Sequence, residues 1–121
     1  MSKIKAYRSS VSAGALQGDV VVDRRGEQVG TVEEIMIDAG TGRVAYVVMA
    51  CCDGLGPRNK LLALPWSVLR VDEATRHFVC ELGRETLAAA PGFDPEHWPD
   101  LGDTRYAIGV YQHYGATPYW Y

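Results

Sequence analysis

No window of this chain approaches the ~20 consecutive apolar residues that a membrane-spanning helix needs, so the sequence predicts no transmembrane segment. The start, MSKIKAYRSS, has Lys3, Lys5 and Arg8 but no apolar run behind them, which is not the pattern of a secretory signal. The expected location is therefore cytoplasmic. Cysteine is scarce. Cys51, Cys52 and Cys80 are odd in number and two are adjacent, which excludes a disulfide framework and predicts buried thiols. A basic excess is also missing. Residues 1–60 carry eight Lys/Arg against seven Asp/Glu, and residues 61–121 carry four against eight. Binding driven by phosphate contacts needs clustered cations, so a nucleic-acid partner is disfavoured.

The catalytic and metal patterns are equally sparse. His77, Cys80, Cys51 and Cys52 are the candidate metal ligands, yet no C-x-x-C or H-x-x-x-H spacing occurs. In a strand His77 and Cys80 point to opposite faces. Cys52 with His77 or His113 could form a thiolate pair, but no nucleophile-elbow pattern supports one. Glu33 and Glu34 are neighbours and face opposite ways in a regular strand, so they do not make an acid–base pair. The sequence predicts no catalytic residue, no cofactor and no metal. Gly54–Lys60 resembles an anion cradle only loosely, because no helix follows and Pro57 removes a donor. A weak anion contact at Arg58 or Lys60 is the most it supports.

What the chain does have is strand pattern. It is 121 residues long, 47% hydrophobic and 22% charged, the proportions of one globular domain. Residues 1–17 read as a lead-in whose first core candidate is Leu16. Val20–Val22 is a β-branched run, and Asp23–Gly26 is a turn. Gln28–Asp38 is a long strand whose apolar phase breaks. Val32 and Ile35 are three apart, Ile35 and Ile37 two, which predicts a bulge near Glu33-Glu34. Ala39–Gly42 is a hairpin turn. Arg43–Ala50 follows, apolar without interruption from Val44, so something must cover its second face. Lys60–Leu64, Val68–Val71 and Arg76–Leu82 complete six strands. In the last, Phe78, Cys80 and Leu82 are expected inward and His77, Val79 and Glu81 outward.

Glu85–Ala90 reads as a short helix stopped by Pro91-Gly92. A final helix over Arg105–His113, capped by Asp103 or Thr104, would carry Ala107, Val110, Tyr111 and Tyr114 on its apolar face. From Trp98 onward the chain holds seven of its twelve aromatics. A disordered tail would be poor in them. The tail therefore docks on its own sheet or on a partner subunit.

The run G-D-V-V-V-D-R-R-G-E-Q-V-G-T-V-E-E-I-M-I-D-A-G-T-G-R-V-A-Y-V-V from Gly18, with the later K-L-L-A-L-P-W-S-V-L, resembles the PRC-barrel domain family. That family includes the cytoplasmic domain of the photosynthetic reaction-centre H subunit and the C-terminal domain of the ribosome-maturation factor RimM. The tail resembles stand-alone bacterial members. The resemblance implies a mainly β fold, a small and strongly bent six-stranded barrel over 18–91, with a short helical extension over 92–121. It also implies a binding or assembly module without catalytic residues.

The expected function is a non-catalytic interaction module acting as a homodimer. Its interface candidates are Tyr46, Val48, Trp98, Tyr106, Tyr111, Tyr114, Tyr119 and Trp120. Two alternatives stand beside it. One is a ligand-binding protein or enzyme with a pocket between barrel and tail, near Trp66, His77, Trp98 and His113. The other is an RNA or ribosome-assembly role by analogy with RimM.

Overall fold

The structure, a computed structural model, describes residues 11–120 apart from 58, 73 and 76. The first ten residues, the anion contact at Arg58, the strand start at Arg76 and the terminal Tyr121 lie outside the described residues. A short helix, α1 (Ala13–Leu16), opens the chain. The sequence showed no period there; the Ser12 hydroxyl, accepting from the Ala15 N–H, organises this single turn. Leu16 is buried, as its position predicted.

Six strands follow: β1 (Val20–Val22), β2 (Gln28–Asp38), β3 (Arg43–Cys51), β4 (Leu61–Leu64), β5 (Leu69–Val71) and β6 (Phe78–Cys80). They form one sheet in the order β4-β3-β2-β1-β6-β5. All pairings are antiparallel except β1 with β6. The fold is mainly β, a strongly bent sheet. It is not closed by hydrogen bonds, since β4 and β5 share no ladder; Pro65 and a 3-10 turn over Trp66–Val68 join them instead.

The bend has a cause in β2. Its register against β3 shifts between Val32 and Glu34, at the bulge the broken phase predicted, and again between Met36 and Ile37. Gly30 lets the two strands close together, because a Cβ there would lie 2.4 Å from the Ala50 carbonyl oxygen. The core fills the concave side with Val21, Val29, Val47, Leu62 and Phe78, all fully buried.

β6 is shorter than its sequence pattern indicated, and Val79, expected outward, is buried at 4% exposure. Alternation alone misjudged its outer face, because a period-2 pattern does not show what covers a strand's second side. Two helices complete the chain, α2 (Arg84–Ala89) and α3 (Thr104–His113). Asp103 caps α3 by accepting from the Arg105 N–H, and Ala107, Val110, Tyr111 and Tyr114 are buried, the face the spacing predicted.

A cleft between the hairpin and the tail as candidate functional site

The path of the tail is set at the end of α3. Gly115 has φ +66°, the left-handed conformation that glycine adopts without strain. Its N–H donates to Gln112 O, and the Ala116 N–H donates to Tyr111 O. These two bonds make a Schellman motif, which reverses the chain at a helix end. Residues 116–120 therefore return towards the end of the β2–β3 hairpin.

Two side-chain bonds hold them there, and a third anchors α3 to β3. The Tyr119 hydroxyl donates to Asp38 Oδ2 at 2.5 Å. Arg43 Nη1 donates to the Tyr119 carbonyl oxygen at 2.5 Å. The Tyr111 hydroxyl donates to Ala45 O at 2.8 Å. Rings pack around these bonds, with Trp120 at 5.4 Å from Tyr111 and 5.1 Å from Tyr119 between centroids. Tyr46 of β3 meets Tyr111 at 6.0 Å and Tyr106 at 6.2 Å. The second face of β3 is thus covered within the chain by α3.

Between the hairpin end and this cover lies a cleft of about 610 Å³, lined by Ile37, Asp38, Tyr46, Thr104, Tyr119, Trp120 and further apolar residues. Asp38 accepts from the N–H groups of Gly40 (2.9 Å) and Thr41 (3.3 Å) as well as from Tyr119. The Tyr119 bond, foremost, holds the Asp38 carboxyl below its ordinary value. The same bond raises the Tyr119 phenol. Burial pushes Tyr111 up to about 12 and Tyr46 and Tyr114 above their usual range. The Tyr46 hydroxyl is buried with no hydrogen-bond partner among the described residues.

The sequence candidates divide clearly. Tyr46, Val48, Tyr111 and Tyr114 are buried, and Tyr106 and Tyr119 are half-buried. Trp98 (38%) and Trp120 (37%) keep open surface. Trp98 packs edge-on against Phe93. The four residues proposed to line a barrel–tail pocket go to different places. Trp66 packs edge-on against Phe78, His77 bonds Asp19 at 3.0 Å, and His113 meets Tyr114 edge-on. The main barrel–tail cleft lies at Asp38, Tyr46 and Tyr119, and of the four residues Trp66 lines a second barrel–tail groove with Tyr111, Thr117 and Tyr119. Ile37 and Asp38 were not singled out in the sequence. Asp38 before Ala39-Gly40 is a turn-capping signal, yet nothing local shows that the tail returns to it.

The other candidates are separated or spent. The Cys52 thiol donates to Gln28 O, away from the partners of His77 and His113. Burial raises the Cys51 and Cys80 thiols, so both stay protonated at neutral pH. No group of three His, Cys, Asp or Glu gathers as a metal site among the described residues. Lys60, read as a solvated anion contact, is buried at 8% exposure. Its Nζ donates to Leu55 O, Leu87 O and Ala88 O, so its three donors are already used. No helix among the described residues is long and apolar enough to cross a membrane.

A small, strongly bent six-stranded sheet with a helical C-terminal cover defines a β-barrel domain of the PRC type. The chain belongs to the PRC-barrel domain family, whose sequence profile matches residues 10–87. Among solved structures it is similar to a 16S ribosomal RNA processing protein, RimM, of Pseudomonas aeruginosa, at 20% identity and a TM-score of 0.42. That likeness covers 63% of this chain and 46% of the other, so the chain spans less than half of that protein. No curated protein matches the chain.

Proposed function

We propose that this protein is a non-catalytic interaction module that works as a homodimer, using the face around the hairpin–tail cleft. The observation that carries this reading is where apolar surface remains. Most of the aromatic tail is consumed within the chain, yet Ile37 is 56% exposed, Ile108 41% and Trp120 37%. Ile37 and Trp120 line the cleft, and Ile108 lies one turn along α3 from the cleft residue Thr104. Contiguous apolar surface on a small domain marks an association site.

The absence of catalysis is part of the proposal. It is supported by the raised thiols of Cys51 and Cys80 and by the separate partners of Cys52 and His77. An RNA-binding role is less well supported. Arg24 and Arg70 both pair with Glu81 at 2.9 and 3.0 Å, which neutralises part of the arginine surface.

Light scattering on a sizing column tests the dimer. The expected mass is twice that of the chain at micromolar concentration, falling to one chain for Ile37→Ser. A wild-type monomer at that concentration would remove the homodimer.

A further inference from the structure

Asp38 is the one charged residue among the described residues lining the hairpin–tail cleft. A carboxylate has about four acceptor positions. Asp38 uses three, two on Oδ1 for the Gly40 and Thr41 N–H groups and one on Oδ2 for the Tyr119 hydroxyl. One position on Oδ2 remains among the described residues. The side chain is held ionised beside aromatic rings, an arrangement that favours a cation on an apolar stem. Tyr119 and Trp120 supply those rings, and Met36, Ile37 and Leu101 supply aliphatic wall. The Tyr46 hydroxyl, buried beside the cleft, has no hydrogen-bond partner among the described residues.

Anions are disfavoured at the same place. Arg43 is the nearest cation in the hairpin, but its guanidinium bonds the Tyr119 carbonyl and lines a different groove with Trp66.

We propose that the cleft is a receptor for one basic side chain, a lysine ammonium or arginine guanidinium, presented by a polypeptide partner. Asp38 accepts the charged head, and Tyr119 and Trp120 cover the stem. A polypeptide is the source because exposed apolar residues edge the cleft, Ile37 in its lining and Ile108 one turn along α3 from Thr104, where residues flanking the basic one would rest. The proposal rests on reading this face as the interaction surface and adds the chemistry it selects.

The test follows the tryptophan indole signals of the full chain by NMR while an acetylated, amidated Leu-Arg-Leu peptide is added. The three indoles, Trp66, Trp98 and Trp120, report three separate places. Trp120 is expected to shift and saturate at concentrations on the order of millimolar. Replacing arginine by neutral citrulline should weaken binding about tenfold or more, since one charge-assisted hydrogen bond is lost. Asp38→Asn should weaken it by a similar factor.

Equal binding of the citrulline and arginine peptides, a comparison that needs no variant, would overturn the proposal. So would a Trp120 signal that does not move. Free agmatine binding as tightly as the peptide would overturn the assignment to a polypeptide. The self-association of the same samples is read in parallel. The titration is repeated on monomeric Ile108→Ser, because a dimer seated on this face would itself exclude the peptide; no response there while wild-type dimers persist sinks the basic-side-chain inference alone, and if dimer and response are both missing the interaction reading fails with it.

Discussion

Lys60 is the residue whose role the structure changes most. A buried ammonium is costly unless its donors are satisfied, and here three carbonyls satisfy them. Two, Leu87 O and Ala88 O, belong to the last turn of α2, where the helix dipole favours a cation. Lys60→Met keeps the length but takes the ammonium donor from the Leu55 and Ala88 carbonyls, while Leu87 O keeps the Ala90 N–H, so it should destabilise the fold by about 2 kcal/mol in denaturant unfolding. A change within about 0.5 kcal/mol would show that the bonds contribute nothing. Gly92 belongs to the same packing, since a Cβ there would sit 2.5 Å from Lys60 Cγ and 2.7 Å from Leu61 O. Gly92→Ala should therefore cost about 1–3 kcal/mol, readable as a lower midpoint. Asp38 and Tyr119 give a pH signature. The lowered Asp38 carboxyl contributes stability that is present above its ordinary value of 3.8 and is lost as pH falls through its folded value. The raised Tyr119 phenol contributes stability that is present below its ordinary value of 10.0 and is lost as pH rises through its folded value. Arg43 adds no titration to either window, because a guanidinium stays charged throughout. The stability difference between wild type and Tyr119→Phe should be constant from about pH 5 to 9 and shrink at both extremes. A difference that does not change at acid pH would mean that Asp38 is not the acceptor in solution.

Among the elements, α3 with its returning tail sets the site. Its apolar face was legible because 3.6-residue spacing survives in Ala107, Val110, Tyr111 and Tyr114, despite Gly109. The bulge in β2 was legible for a similar reason, since a period-2 strand cannot change phase without an extra residue. The cleft was not legible. It depends on Gly115 reversing the chain and on Asp38, some eighty positions earlier, meeting Tyr119. No local pattern encodes that meeting. Tyr46 illustrates the same limit. An aromatic in an uninterrupted apolar strand reads equally as interface or core, and only the position of α3 makes it core at 1% exposure. The element makes its own prediction. Gly115→Ala strains the reversal and should cost about 1 kcal/mol. It should also increase hydrogen exchange at Ala116, whose N–H donates to Tyr111 O. Unchanged protection of that amide would show that the tail is held without the Schellman bonds.

For the molecule as a whole, the tail residues that looked like an interface mostly finish the fold, and what is left outside is a smaller face. The family profile ends at residue 87, before α3 begins, so the PRC-barrel match alone does not describe the surface that this chain presents. That surface combines Ile37, Ile108 and Trp120 with the single carboxylate of the cleft. Truncation after Pro91 would uncover Tyr46, which α3 packs against, and should yield a dye-binding, aggregating chain rather than a clean monomer. A comparison built on point variants of the rim avoids that collapse. The most direct measurement is sedimentation equilibrium of the full chain beside Ile37→Ser and Ile108→Ser, with thermal unfolding of each to confirm the fold. The account predicts a wild-type mass of two chains and variants that stay folded with the mass of one. A folded wild-type monomer across the micromolar range, or a dimer indifferent to both substitutions, would contradict it.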